Sequence, residues 1–204
     1  MLNRYARAFF TAAFTPIARL LLRLGVSPDA VTLVGTLGVC VGALGFYPRG
    51  ELWWGTLFIT AFVFTDLIDG TMARLSGRTS PWGAFLDSTL DRIGDGAIFG
   101  GLVLYYTGVG QDDLGAALAL AGMVLGFVIS YAKARAEGLG MTCDVGIAAR
   151  ADRLTAVLVA TGFTGLFLPA WVLVAVLGVL AAASLVTVVQ RVLTVRAQAL
   201  GGTT

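Results

Sequence analysis

The chain has 204 residues, of which 57% are hydrophobic and only 13% charged, and its mean hydropathy is +0.87. These values lie outside the range of ordinary soluble domains and define an integral membrane protein, read as a single domain over residues 1–204. A net charge of +2 argues against a nucleic-acid partner, and the complete lack of histidine excludes imidazole both as a base and as a metal ligand.

The N-terminal stretch RYARAFFTAAFTPIARLLLRLG places Phe9, Phe10, Phe14, Ile17 and Leu21 among Arg4, Arg7, Arg19 and Arg23. This pattern predicts an amphipathic helix over residues 1–25 lying in the membrane interface. A signal peptide has a similar basic start, but its removal would strip the first span of its cytoplasmic anchors. Apolar runs near 30–48, 52–75, 84–107, 113–135, 153–168 and 170–190 approach the roughly 20 residues that a helix needs to cross hydrocarbon. The expected fold is therefore all-α, with six transmembrane helices behind the interfacial one. Membrane barrels alternate polar and apolar residues over short strands, which these continuous runs do not.

The first span opens at Ser27-Pro28-Asp29, where Ser27 suits a helix cap and Pro28 the first helical position. Within it Gly35, Gly38, Gly42 and Gly45 fall on one helical face, as close helix packing requires. Cys40 and Cys143 form neither a disulfide framework nor a zinc pattern. Residues 198–204 read as a disordered tail. Lys and Arg concentrate before the first span, between the second and third, between the fourth and fifth, and after the sixth, whereas the opposite connections hold only Arg49. Both termini should then be cytoplasmic, in the cell membrane.

Against this apolar background stands DLIDGTMARLSGRTSPWGAFLDSTLD, which holds Asp66, Asp69, Asp87 and Asp91. The first pair is three residues apart and the second four, so each pair shares a helix face. Ionisable groups inside a membrane are costly and face a cavity or a partner. Arg74, Arg78 and Arg92 are too few to neutralise these acids together with Asp95. A hard divalent cation is the expected counter-charge, because an all-oxygen donor set selects Mg²⁺, Mn²⁺ or Ca²⁺ over zinc or copper. Clustered hard cations clamp phosphate oxygens, Gly70 and Gly83 admit a ligand near the backbone, and Arg74 is suited to phosphate. The expected substrate carries a phosphate and meets the protein at the cytoplasmic membrane surface. The competing class, an ion channel or transporter, would place its acids near the midplane rather than at one end of two helices.

The arrangement Asp66-x2-Asp69-Gly70-x2-Ala73-Arg74-x8-Gly83-x3-Asp87-x3-Asp91 matches without departure the signature of the CDP-alcohol phosphatidyltransferase family, which the chain resembles. The resemblance implies transfer of a phosphatidyl group from CDP-diacylglycerol to an alcohol with release of CMP. It also implies two metal ions, Mg²⁺ with Mn²⁺ as the alternative, held by Asp66, Asp69, Asp87 and Asp91, with Asp91 also the catalytic base. Asp29, Ala30, Val31, Thr32, Gly70, Ala73, Arg74, Ser80 and Gly83 are similar to the positions that hold the CDP part, and members of the family form homodimers among membrane lipids.

The acceptor alcohol is the remaining question, with inositol phosphate, glycerol 3-phosphate, free inositol and serine as candidates. Lys133, Arg135, Arg150, Arg153 and Arg191 gather basic charge on the expected cytoplasmic side, beyond the needs of helix orientation, and fixed cations suit a phosphorylated acceptor. Ser130, Lys133, Arg135, Arg153 and Arg191 resemble the actinobacterial members of the family that take inositol phosphate. Inositol phosphate is the expected acceptor, and glycerol 3-phosphate, which would make a phosphatidylglycerophosphate synthase, is the alternative.

Overall fold

The computed structural model describes residues 14–77 and 80–201. Arg4, Arg7, Phe9, Phe10, Arg78 and the end of the tail, 202–204, lie outside the described residues. Among the described residues there are helices and no strands. Helix α1 covers 14–23 and ends in a left-handed glycine, Gly25, with Val26 N–H returning to Leu21 O at 3.0 Å.

Helix α2 is Pro28–Phe46, started as the sequence predicts: Pro28 is in its first turn and the Ser27 hydroxyl accepts from Ala30 N–H. A short 3-10 turn, Tyr47–Arg49, leads through Gly50 to α3, Leu52–Val63, and α4, Thr65–Ser76. The run expected as one span is thus two helices meeting at Phe64. The Thr65 hydroxyl donates to Phe62 O at 2.6 Å, and side-chain bonds of this kind compete with the backbone ladder. Helix α5 is Pro81–Thr107, with Ser80 as its cap, and α6 is Asp113–Glu137, capped by Asp112. Helices α7, Arg150–Leu166, and α8, Ala170–Gly201, complete the chain. Residues 198–201, expected in a disordered tail, are the last part of α8.

By length and composition, four segments qualify as membrane spans: Pro28–Arg49, Leu52–Ser76, Asp113–Glu137 and Ala170–Gly201. Helix α5 has the length but carries Asp87, Asp91, Arg92 and Asp95 between its second turn and its middle. Helix α7 has 17 residues and begins with Arg150, Asp152 and Arg153.

Helix α2 packs on α3, α4 and α5, α6 lies between α5 and α8, and α7 joins α3 to α8. Three of the four α2 glycines serve this packing. A Cβ on Gly35, Gly38 or Gly42 would collide with Thr65, Phe62 or Ile59, whereas at Gly45 the nearest atom is Arg49 Nη1 at 3.9 Å. On α5, a Cβ at Gly101 would come within 2.5 Å of Ala43 O, a backbone atom that cannot step aside. Overpacking of this kind costs about 1–3 kcal/mol. Gly101→Ala should therefore lower the melting temperature in detergent. Gly100→Ala, with nothing within 4 Å of its added carbon, should not.

Candidate active site

Three cavities line up through shared residues. The first, about 280 Å³, is walled by the starts of α2 and α5 and by α4. Asp29, Thr32, Asp66, Asp69, Gly70, Ala73, Ser80, Gly83 and Asp87 line it, so most of the residues expected around the CDP part and the metals come together here. Two helix N-termini at one cavity favour an anion, since their unpaired N–H groups carry partial positive charge. Added carbons on Gly70 and Gly83 would meet no protein atom nearer than 3.6 and 3.5 Å, so neither glycine is demanded by packing, and both leave the wall open to a ligand. Trp82 Nε1 donates to Asp29 Oδ2 at 3.1 Å and ties α5 to α2. Ala30, Val31 and Arg74 do not line this cavity, and Arg74 donates instead to Thr71 Oγ1 at 3.1 Å.

Asp66 also lines a small cavity of about 50 Å³, shared with Asp91, Asp95 and Arg150. Here the acids do have partners. Arg150 Nη1 lies 3.0 Å from Asp91 Oδ2, and Asp95, 5% exposed, is met by Arg150 at 2.9 Å and by Arg92 at 3.2 Å. Arg92 reaches on to the Ser130 hydroxyl of α6. By contrast Asp66, Asp69 and Asp87 form no ion pair among the described residues. Asp69 accepts from Thr32 Oγ1 at 2.6 Å, a contact that takes the hydroxyl's single proton.

Whether these acids suit a metal turns on their chemistry and their placement. Three carboxylates without a cationic partner on one cavity wall are the donor set of a hard cation. Among the described residues, however, no three Asp, Glu, Cys or His side chains converge on a common point at which an ion would be held. Asp69 accepts from Thr32 and Asp91 pairs with Arg150. By its chemistry the donor set fits a hard cation, and Asp66, Asp69 and Asp87 are the residues that would hold it.

The third cavity, about 750 Å³, lies between α5, α6, α7 and α8 and shares Arg150 with the small one. Ser130, Lys133, Arg153 and Arg191, expected at the acceptor, line it together with Arg92, which the sequence reading assigned to the acids. Arg135 does not line it. Arg153 is 3% exposed, donates through Nη1 to Ala148 O at 3.3 Å, and its Nε has no partner in the described structure. Arg191 donates to Val145 O and Ile129 O. Lys133 pairs with Glu137 and with Asp144, and its bond holds the Asp144 carboxyl below the usual carboxylate range.

Arg150 is the site residue whose role sequence reasoning missed. It was grouped with the acceptor cations, whereas its guanidinium serves Asp95, 55 positions away. The one available signal was its place in the first turn of α7, where a cation opposes the helix dipole and so calls for a nearby acid.

In a chain with membrane-spanning helices, a cavity at two helix N-termini lined by acids that form no ion pair, and joined to a basic cavity, has the make-up of a metal-dependent phosphotransferase. A profile of the CDP-alcohol phosphatidyltransferase family matches residues 25–190, and the chain belongs to that family. It is 56% identical over 202 residues to the phosphatidylinositol phosphate synthase of Streptomyces avermitilis, covering 96% of this chain and 83% of that protein. Identity to the enzyme of the same name from Cutibacterium acnes is 49% over 197 residues, covering 93% and 95%. The solved structure of Mycobacterium tuberculosis phosphatidylinositol phosphate synthase with CDP-DAG bound superposes with a TM-score of 0.85 at 43% identity, covering 89% of this chain and 92% of that one. The same enzyme in complex with manganese and citrate gives 0.83 at 42% identity, covering 89% and 88%.

Proposed function

We propose that this chain transfers the phosphatidyl group of CDP-diacylglycerol to 1D-myo-inositol 3-phosphate, giving phosphatidylinositol phosphate and CMP. The observation that carries the acceptor is the state of Arg153 and Arg191. Both guanidiniums line one cavity with no carboxylate partner among the described residues, and Arg153 is 3% exposed. An uncompensated buried charge is expensive, so the cavity calls for an anion, which a phosphorylated acceptor supplies and a neutral polyol does not.

The CDP part sits in the first cavity, against the starts of α2 and α5, with Asp29, Thr32, Gly70, Ala73, Ser80 and Gly83 around it. Ala30, Val31 and Arg74 stand beside this group rather than in its wall. Asp66, Asp69, Asp87 and Asp91 hold two Mg²⁺ ions, for which Mn²⁺ can substitute. When bound, these supply charge neutralisation for the phosphate oxygens. Ser130, Lys133, Arg153 and Arg191 hold the acceptor phosphate, with Arg135 outside the cavity. Asp91, in the small cavity between the two larger ones, takes the proton of the attacking hydroxyl. The acceptor oxygen bonds to the lipid-side phosphorus as the bond from that phosphorus to the bridging oxygen breaks, and CMP leaves with the bridging oxygen.

The same reading includes six spans, with α5 and α7 added to the four apolar segments, in a cell membrane with both termini and the site cytoplasmic. An even number of spans agrees with the placement of Lys and Arg. Helix α1 lies in the interface, which the exposure of Ile17, Leu20 and Leu24 beside Arg19 and Arg23 supports. The protein works as a homodimer among membrane lipids, a reading supported by resemblance to the family.

The test is CMP release by purified protein with inositol phosphate, glycerol 3-phosphate, free inositol and serine in turn. Inositol phosphate should be preferred and free inositol poor, while faster turnover of glycerol 3-phosphate would overturn the acceptor assignment. Arg191→Gln and Arg153→Lys should each raise KM for inositol phosphate by roughly 10- to 100-fold, the worth of a hydrogen bond to a charged group, with KM for the CDP-lipid little changed.

A further inference from the structure

Arg150 is placed to do more than balance charge. As the first residue of α7 its guanidinium sits at the positive end of a helix dipole, so its position is unfavourable until acids are brought to it. Two are, one helical turn apart on α5. Nε and Nη2 donate to Asp95 Oδ1 at 3.1 and 2.9 Å, and Nη1 lies 3.0 Å from Asp91 Oδ2. The two acids are not equivalent. The Asp95 side chain, 7% exposed, is shared between Arg150 and Arg92 and fully committed to the protein. The Asp91 side chain is 21% exposed, and both of its ion pairs fall on Oδ2, with none on Oδ1 among the described residues. Arg150 also lines both the small cavity that holds Asp91 and the large basic one.

We propose that Arg150 is a positioning residue for the proton acceptor. Anchored on Asp95, it clamps Oδ2 of Asp91 and presents Oδ1 toward the basic cavity. It lies one turn before Arg153 on the same helix, so seating of the acceptor phosphate and aim of the base share one rigid element. A planar fork suits this task because it holds two carboxylates at a fixed angle, whereas a lysine holds one point. The inference rests on the reading of Asp91 as the base.

Its test uses the full-length protein at saturating Mg²⁺ with Arg150→Gln, Arg150→Lys and Asp95→Asn, and kcat is expressed per CDP-lipid-binding site so that loss of folded protein is divided out. Arg150→Gln should lower kcat about 100-fold, the cost of a small misplacement of a reacting group, while both KM values stay within about twofold. Arg150→Lys should fall between it and the parent. Asp95→Asn should also lose kcat, although Asp95 lines neither of the two larger cavities. An unchanged kcat in Arg150→Gln, or a loss confined to KM for inositol phosphate, overturns the proposal, the second outcome making Arg150 one more phosphate cation. If Arg150→Gln binds no CDP-lipid, a parental kcat in Arg150→Lys overturns it instead. Asp91→Asn run in parallel separates the two possible failures. Normal turnover there removes the base assignment, whereas an inactive Asp91→Asn beside a fully active Arg150→Gln removes only the clamp.

Discussion

Replacing Asp66, Asp69 or Asp87 by asparagine should reduce CMP release by about 10³-fold, since each change removes several kcal/mol of charge stabilisation from the phosphate clamp. The effect should fall on chemistry and metal binding and spare the fold. Asp66 and Asp87 form no ion pair among the described residues, so their neutralisation breaks no internal contact. At position 69 the asparagine carbonyl oxygen still accepts from Thr32 Oγ1. The melting temperature should therefore hold or rise as repulsion among the acids is relieved. Mn²⁺ titrated into detergent-solubilised protein and followed by its paramagnetic resonance gives a second readout, expected to lose the bound signal. Near-normal turnover of any of the three variants at limiting Mg²⁺ would sink the assignment of these acids as ligands.

Asp91→Asn should separate binding from chemistry. A lost general base costs about 10²- to 10⁴-fold in rate. The cavity assigned to the CDP part is lined by other residues, so affinity for the CDP-lipid should survive. The variant also keeps its local frame, because Arg150 remains fixed on Asp95 through Nε and Nη2 when its second partner loses charge. Binding of CDP-lipid measured beside single-turnover CMP release checks both halves, and undiminished release would exclude Asp91 as the base.

Much of this site was legible because helix geometry converts spacing into direction. Asp66 and Asp69 on α4, and Asp87 at the start of α5, reach one cavity as their spacings imply. The same geometry explains what a motif read position by position overstates. Asp29 and Thr32 are three apart and line the cavity, whereas the intervening Ala30 and Val31 point elsewhere. Arg135, two residues after Lys133, leaves the basic cavity for the same reason. Gly45 belongs to the glycine face by period alone, since an added carbon there would meet nothing nearer than Arg49 Nη1 at 3.9 Å.

What sequence could not supply are pairings between distant segments and breaks set by one side chain. The Arg150–Asp95 contact has no local pattern to announce it. The interruption at Phe64 goes with a single side-chain bond, from the Thr65 hydroxyl to Phe62 O, which no residue spacing announces. The length of α8 was hidden by composition, since Gln198 and Gly201 suggest a tail. The structure instead uses Gln198 to grip the backbone of Thr142 in both directions, accepting from its N–H at 3.0 Å and donating to its carbonyl at 2.7 Å.

That grip belongs to a seam along α8. Thr187 accepts from Ala148 N–H, Arg191 donates to Val145 O, and Gln198 holds Thr142, so the segment 138–149 is laid against α8. Every wall residue of the acidic cavity lies between Pro28 and Asp87, whereas apart from Arg92 the cations of the basic cavity begin at Lys133 and end at Arg191. Chains emerge from the N-terminus, so the residues of the cavity proposed for the nucleotide are all made before the wall residues that α6, α7 and α8 supply to the cavity proposed for the acceptor. The two halves are separable in the gene as well. Under the proposed function, a descendant could change its acceptor by altering residues between Lys133 and Arg191 and leave the acid-bearing helices untouched.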